Sequence, residues 1–249
     1  MSLEEKNFLL ETCVLAGKVM LENGAEMYRV EDTMNRIAAS QEEEGISFVT
    51  QTVVLMSLES TKNIQMKRVS ERTTNLGKVS WVNDLSWGLS TNRITIKELN
   101  KQLREVERYK APTQVWLKIL SSALISGCLM ILLGGTWPDF FATCLVGAGG
   151  YGAYYISATY LRLKYIDEFI SAFIMGSLAF IMIKIGWGFS LDDMIIGSIM
   201  PLVPGVALTN TIRDLQEGHM LSGVLRGVEA LIIAMMIGAG IAASFGVMG

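Results

Sequence analysis

Apolar residues recur at helical spacing over roughly the first forty positions and then give way to a β-branched run. Beyond residue 111 they merge into long blocks with few charges. Ser2 and Glu5 stand three apart before the first periodic stretch, which predicts a capping box opening a helix to about Glu22, closed by Asn23-Gly24. A second helix is expected from Ala25 to about Ser40, where Met27, Val30, Met34, Ile37 and Ala38 share one apolar face at 100° per residue. Glu26, Arg29, Thr33 and Arg36 fall on its flank, with Asp32 beside them. This side reads either as an ordinary salt-bridged surface or as a cytoplasmic docking or gating surface formed by Glu26, Arg29, Asp32 and Arg36. Gly45 opens a β stretch through Leu58. After a turn at Glu59–Lys62, Asn63–Val69 reads as its hairpin partner. Helices near Asn75–Leu89 and from the Thr95/Glu98 box to about Lys110 complete an expected order of α-α-β-β-α-α.

The second part holds five segments long and apolar enough to span a bilayer: about Val115–Gly135, Phe140–Leu161, Phe169–Trp187, Leu191–Leu208 and Leu221–Val247. The fourth is interrupted by Pro201-Leu202-Val203-Pro204-Gly205. A proline lacks the N–H and clashes with the preceding turn, so two prolines and a glycine should break the helix. The expected fold is therefore an α-helical polytopic membrane protein with five transmembrane helices, the fourth broken, plus an N-terminal α+β domain. The expected boundaries are 1–110 and 111–249.

Charge supports that division and adds an orientation. Of 21 Lys and Arg residues, 15 lie in 1–110 and 6 in 111–249. Lys97, Lys101, Arg104, Arg108, Lys110 and Lys118 cluster before the first segment. Arg162 and Lys164 follow the second, and Arg213 and Arg226 flank the turn before the fifth; the alternate connections carry only Lys184. This predicts a cytoplasmic N-terminus and an outside C-terminus. Met1-Ser2-Leu3-Glu4-Glu5 is acidic where a signal peptide would be basic. A formal charge of −3 and the lack of a basic stripe argue against nucleic acid. Cys13, Cys128 and Cys144 make no CxxC pair, so neither a disulfide framework nor a zinc site is expected. His219 is the only histidine, and no hydrolase, zincin or nucleotide-loop motif occurs. No enzyme activity, metal or cofactor is expected.

Candidate chemistry gathers at the break. Interrupted backbone at membrane depth is tolerated where protein or a watery cavity satisfies it, and in transporters such breaks often hold the substrate. Pro201, Pro204, Gly205, Thr209, Asn210 and Arg213 form the candidate substrate-binding set. A half-helix starting after Gly205 would present its positive end to a carboxylate. Asp214, Glu217, Arg226 and Glu229 are candidates for proton coupling or gating. Arg226 and Glu229 stand three apart and can pair on one helix face, as a structural ion pair or on a substrate path. Gly147, Gly149, Gly150 and Gly152 suit close helix packing, and Tyr151, Tyr154 and Tyr155 among them read either as part of that packing or as the lining of a permeation path.

Two motifs resemble the threonine/serine exporter (ThrE) family, most closely its short, split YjjP-type subunit. The first is Gly24-Ala25-x-x-x-Arg29-Val30-Glu31-Asp32-Thr33-Met34-Asn35-Arg36. The second is Met200-Pro201-Leu202-Val203-Pro204-Gly205 with Thr209-Asn210-x-x-Arg213-Asp214 and Gly218-His219-x-x-Ser222-Gly223. The resemblance implies a multi-pass protein of a prokaryotic cell membrane. It implies export of a small carboxylate, threonine and serine or succinate, with a smaller membrane subunit or a homo-oligomer as partner. The expected function is a secondary exporter subunit coupled to protons; a non-transporting accessory or sensor subunit is the alternative.

Overall fold

The computed structural model describes residues 1–61, 63–70, 72–109, 114–161 and 163–248. Lys110 and Arg162, which enter the expected orientation, lie outside the described residues, as do Lys62 of the expected turn and the 110/111 boundary. The chain forms two compact units. One comprises Met1–Lys110 with Val206–Gly227, the other Ala111–Gly205 with Val228–Gly249. Val206–Gly227, read from sequence with the membrane part, thus belongs to the unit of the N-terminal domain.

In the first unit, α1 (Leu3–Glu22) opens on the expected capping box. The Glu5 amide donates to Ser2 Oγ at 3.2 Å and the Ser2 amide to Glu5 Oε2 at 2.7 Å. From Leu9 to Leu21 almost every side chain of α1 is buried, because the other elements wrap it. α2 (Met27–Ala39) buries the predicted face of Met27, Val30, Met34, Ile37 and Ala38. The β stretch differs from expectation. Gly45–Leu58 is not one strand but two, β1 (Gly45–Val49) and β2 (Val53–Leu58), joined at Thr50–Thr52. With β3 (Ile64–Arg68) they form an antiparallel sheet in the order β1-β2-β3, with Phe48 opposite Leu55 and Leu55 opposite Met66. Two strands alone would be marginal; the third gives β2 partners on both edges. Its alternate residues Val54, Met56 and Leu58 enter the core, while Ile46, Phe48, Ile64 and Met66 stay exposed. α3 (Leu76–Ser90) is capped by Asn75. α4 (Ile96–Arg108) is capped by Thr95 and buries Leu99, Leu103 and Val106. Each such fully buried leucine contributes about 1.5–3 kcal/mol. Cys13 lies fully inside this core.

The second unit contains α5 (Val115–Leu132), α6 (Phe140–Tyr160), α7 (Ile166–Lys184), α8 (Leu191–Ile199) and the later part of α10 (Met220–Met248). After α8 comes a 3-10 turn, Met200–Leu202. Val203 is extended (φ −63°, ψ 128°), the conformation that a following proline imposes. α9 (Gly205–Gln216) then begins. Among the described residues α5, α7 and α10 are long and apolar enough to cross a membrane, and α8 with α9 makes a fourth if the pair is one span. α6 has 21 residues, but its glycines and tyrosines dilute its hydropathy.

Small residues set the helix contacts in this unit. A Cβ on Gly147 of α6 would lie 2.1 Å from Ser126 Oγ of α5, and one on Gly197 of α8 would lie 2.9 Å from the Ser126 carbonyl. Ser171 Oγ donates to the Gly150 carbonyl at 2.7 Å, so serines bond between helices. Asp139, fully buried, accepts from the Phe189 amide at 2.6 Å and the Ser190 amide at 3.3 Å, joining the loop before α6 to the loop before α8.

Candidate functional site

The polar centre of the first unit is built on the start of α2. Gly24 ends α1 at φ +90°, a left-handed turn that glycine takes without strain, and the chain re-enters a helix at Met27. Glu26 is the N-cap but does not cap with its side chain, so the first amides of α2 need other acceptors. The Met27 amide donates to Asp214 Oδ1 of α9 at 3.0 Å. A carboxylate there meets the positive end of the helix. Arg226, in the second turn of α10, places Nη1 3.6 Å from Asp214 Oδ2 and Nη2 3.4 Å from the Ala25 carbonyl. Asn210 Nδ2 donates to the Gly24 carbonyl at 3.0 Å. The Glu26 carboxylate accepts from Arg213 on one oxygen and faces Arg29 Nε at 3.2 Å on the other.

Below this centre a second contact ties α10 and its preceding turn to the sheet. His219 Nε2 lies 3.9 Å from Glu31 Oε2, whose other oxygen accepts from the Val49 amide at 3.0 Å. Burial raises the Glu31 carboxyl above its ordinary 4.5, and His219 opposes that shift. Gln51 Nε2 donates to the Ser222 carbonyl at 3.3 Å.

The structure thus brings together residues that the sequence distributes among three candidate groups. Glu26 of the docking group, Asn210 and Arg213 of the substrate group, and Asp214 and Arg226 of the coupling group form one cluster. Asp32 pairs with Arg36 one turn further along α2, at 3.0 Å. Thr209 on α9 and Glu217 in the turn just after it are exposed. Pro201, Pro204, Gly205 and Glu229 belong to the other unit, where Glu229 Oε1 bonds Lys164 Nζ at 2.7 Å. Arg226 and Glu229 therefore each reach a partner outside their own helix. Sequence reasoning did not single out the Gly24 and Ala25 carbonyls, the Met27 amide or Gln51 as contact points. Gly24-Ala25 within the first motif was the available signal.

The second unit has a cavity of about 410 Å³ lined by Gln114, Leu117, Lys118, Ser121, Ser122, Ile125, Tyr151 and Pro201. Lys118 supplies its cation, and the serines, Tyr151 and Gln114 supply hydrogen-bonding groups. Of the candidate substrate residues Pro201 lines it. Lys118 and the α5 serines are not evident as a site from sequence, where a lysine near the start of an apolar segment signals orientation alone. Among the described residues no group of His, Cys, Asp and Glu could hold a metal.

Apolar helices of spanning length, packed through small residues, define a multi-pass helical membrane protein. The chain belongs to the threonine/serine exporter (ThrE) family, whose model, described as "Putative threonine/serine exporter", matches residues 11–248. It is 23% identical over 243 residues to the "Probable succinate transporter subunit YjjP" of Klebsiella aerogenes, covering 93% of this chain and 90% of that one. It is 20% identical to the protein of that name from Escherichia coli, covering 94% and 93%. It is 22% identical to the "Probable threonine/serine exporter" of Mycobacterium tuberculosis, covering 94% of this chain and 45% of the relative. The chain therefore spans nearly the whole of the YjjP relatives and about half of that exporter. No solved structure matches.

Proposed function

We propose that this chain is a subunit of a secondary exporter for a small amino or dicarboxylic acid, working with a smaller membrane subunit or a second copy. The observation that carries this reading is the cavity around Lys118, Ser121, Ser122, Tyr151 and Pro201. Its volume suits a small metabolite, and one ammonium among hydroxyl groups suits a carboxylate. Five spans are part of the proposal, with α8 and α9 as the broken fourth. α6, at 21 residues and about 1.5 Å each, reaches the roughly 30 Å of a hydrocarbon core. The N-terminus is inside and the C-terminus outside, as Lys118, Lys164, Arg213 and Arg226 suggest.

In this mechanism the substrate carboxylate rests at Lys118 beside the Pro201–Gly205 interruption. The Glu26–Arg213 and Met27–Asp214–Arg226 contacts act as a latch within the first unit. Protonation of Asp214 or Glu229 would weaken the pairs they make and is the proposed route for coupling to a proton gradient, with Glu217 a further candidate. Thr209, Asn210 and Arg213 then serve the latch more than the substrate.

Counterflow of labelled threonine, serine and succinate in proteoliposomes tests the reading, for the chain alone and with a co-expressed smaller subunit. Lys118→Ala should lower flux at least about tenfold, the size expected for losing one charged hydrogen bond. Arg213→Ala should change flux without changing which substrate is preferred. Flux that ignores Lys118→Ala, in monodisperse protein, would remove the cavity as the substrate site. A second reading, an accessory or sensor subunit, is favoured by the near end-to-end match to relatives named as subunits. It predicts no flux attributable to this chain's cavity even with the partner present.

A further inference from the structure

The sheet of the first unit departs from the usual pattern on its outer face. An antiparallel sheet with one wet side alternates apolar and polar residues, so that polar side chains meet water. Here the positions facing away from the core are apolar as well. The register sets them in cross-strand rows. Phe48, Leu55 and Met66 form one, Ile46, Ser57 and Ile64 the next, and Val53 stands opposite Arg68. Ile46, Phe48, Ile64 and Met66 are 56 to 69% exposed, so the rows make a contiguous apolar patch and not scattered single residues.

The two ends of this face carry opposite charge. Arg68 closes one end and is exposed. At the other, the Glu59 amide donates to the Glu44 carbonyl at 2.9 Å, which continues the β1–β2 ladder by one pair. Glu44 and Glu59 each stand two residues beyond the row of Ile46 and Ser57, so they share its face, and both are exposed. Three row steps, about 20 Å at 3.4 Å per residue, separate the acidic end from the basic end.

We propose that this face binds the same face of a second copy of the chain, about a two-fold axis perpendicular to the strands. Such an interface is isologous, so any contact made once is made twice. The axis turns one sheet end for end over the other. Glu59 of each copy then comes beside Arg68 of the other, and the Phe48–Leu55–Met66 row of one lies over the Ile46–Ser57–Ile64 row of the other. Aligned sheets pack in this way about 10 Å apart. A lipid surface is a poorer occupant, because anionic headgroups attract basic margins and repel Glu44 and Glu59. A face with opposite charges at its two ends is its own complement. Three rows by three strands cover roughly 300 Å², below the roughly 800 Å² per partner of a standard interface. The pair is therefore weak between dilute chains and forms between chains concentrated in one bilayer. Pairing through this face uses no residue of the Lys118 cavity and holds whether or not the complex moves substrate.

Förster transfer between donor- and acceptor-labelled full chains in lipid vesicles tests this. The label sits on Ser70→Cys, an exposed position beyond Arg68, with Cys128 and Cys144 replaced by serine. Transfer should fall as lipid is added, which gives a density of half-association. Phe48→Asp should raise that density at least about tenfold, since the two-fold buries the new charge twice. Glu59→Arg and Arg68→Glu should each raise it about threefold to tenfold, and combining them should bring it back. Such recovery is a readout that a general loss of folding would not give. Transfer that is absent at every density overturns the proposal and leaves the face to lipid or to a different protein. Transfer that ignores Phe48→Asp also overturns it and places the contact between copies elsewhere on the chain. So does a combined variant that fails to recover.

Discussion

The interiors of the two units rest on different forces. The first has a continuous apolar core around α1, where Leu9, Leu15, Met20, Met34 and Leu99 are fully buried, and it can place a charged cluster at its margin. Asp214 is fully buried there and the Arg226 side chain is 8% exposed. The second unit has a smaller core, and its helices meet through glycines and serine-to-carbonyl bonds. The difference follows from solvent. Water drives leucines together in the first unit, but lipid tails are as apolar as leucine, so helices in lipid gain by close approach and hydrogen bonding. Charge is concentrated in the unit with the larger apolar core.

That contrast can be broken most directly at Asp214. Asp214→Ala removes the acceptor of the Met27 amide and leaves Arg226 buried without this partner. It should destabilise the first unit by about 3–5 kcal/mol, measured by urea unfolding in micelles, while Asp214→Asn keeps the acceptor and should cost less. A loss below about 1 kcal/mol would mean that the cluster is solvated and not structural. In the second unit the matching test is steric. Gly147→Ala drives a methyl onto Ser126 Oγ, and about 1–3 kcal/mol of overpacking should appear as a lower thermal transition. Ser171→Ala removes a single interhelical bond and should cost only about 0.6 kcal/mol. A larger effect would show that serines carry more of the second unit than small-residue contact does.

The smallest expected effect is in pH. Glu31 has its carboxyl raised from 4.5 by burial, so the folded chain keeps this proton at pH values where the unfolded chain has lost it. Stability contributed at Glu31 therefore falls as pH rises from about 4.5 toward the raised value. Glu31→Gln, which can still accept from the Val49 amide, should flatten that slope in thermal melts between pH 4 and 6. An unchanged slope would place the pH dependence on other groups.

Local chemistry made much of the fold legible. The Ser2/Glu5 capping box and the Thr95 cap require residues only three apart, and both helices start where those residues predict. The α2 face was legible for the same reason. The β1–β2 turn was not, because Thr50-Gln51-Thr52 contains neither glycine nor proline and continues a β-branched run. Its geometry becomes evident only with partners, as when the Thr50 amide bonds the Val53 carbonyl at 2.9 Å. The polar cluster was legible as residue types but not as one place. Asp214 and the Met27 amide are 187 positions apart, and no periodicity spans that distance. The Lys118 cavity is not legible in the sequence, because a lysine near the start of an apolar segment fits the charge-orientation rule fully and its serine and tyrosine neighbours come from other positions.

Cys13 has a use that follows from its place in the core. Its thiol is fully buried in α1 and burial pushes its ionisation upward, so the thiolate that alkylating reagents require is scarce in the folded chain. Only when α1 parts from its neighbours does that sulfur meet water. The rate at which a maleimide captures it then counts those openings one molecule at a time, and gives the first unit a built-in stopwatch.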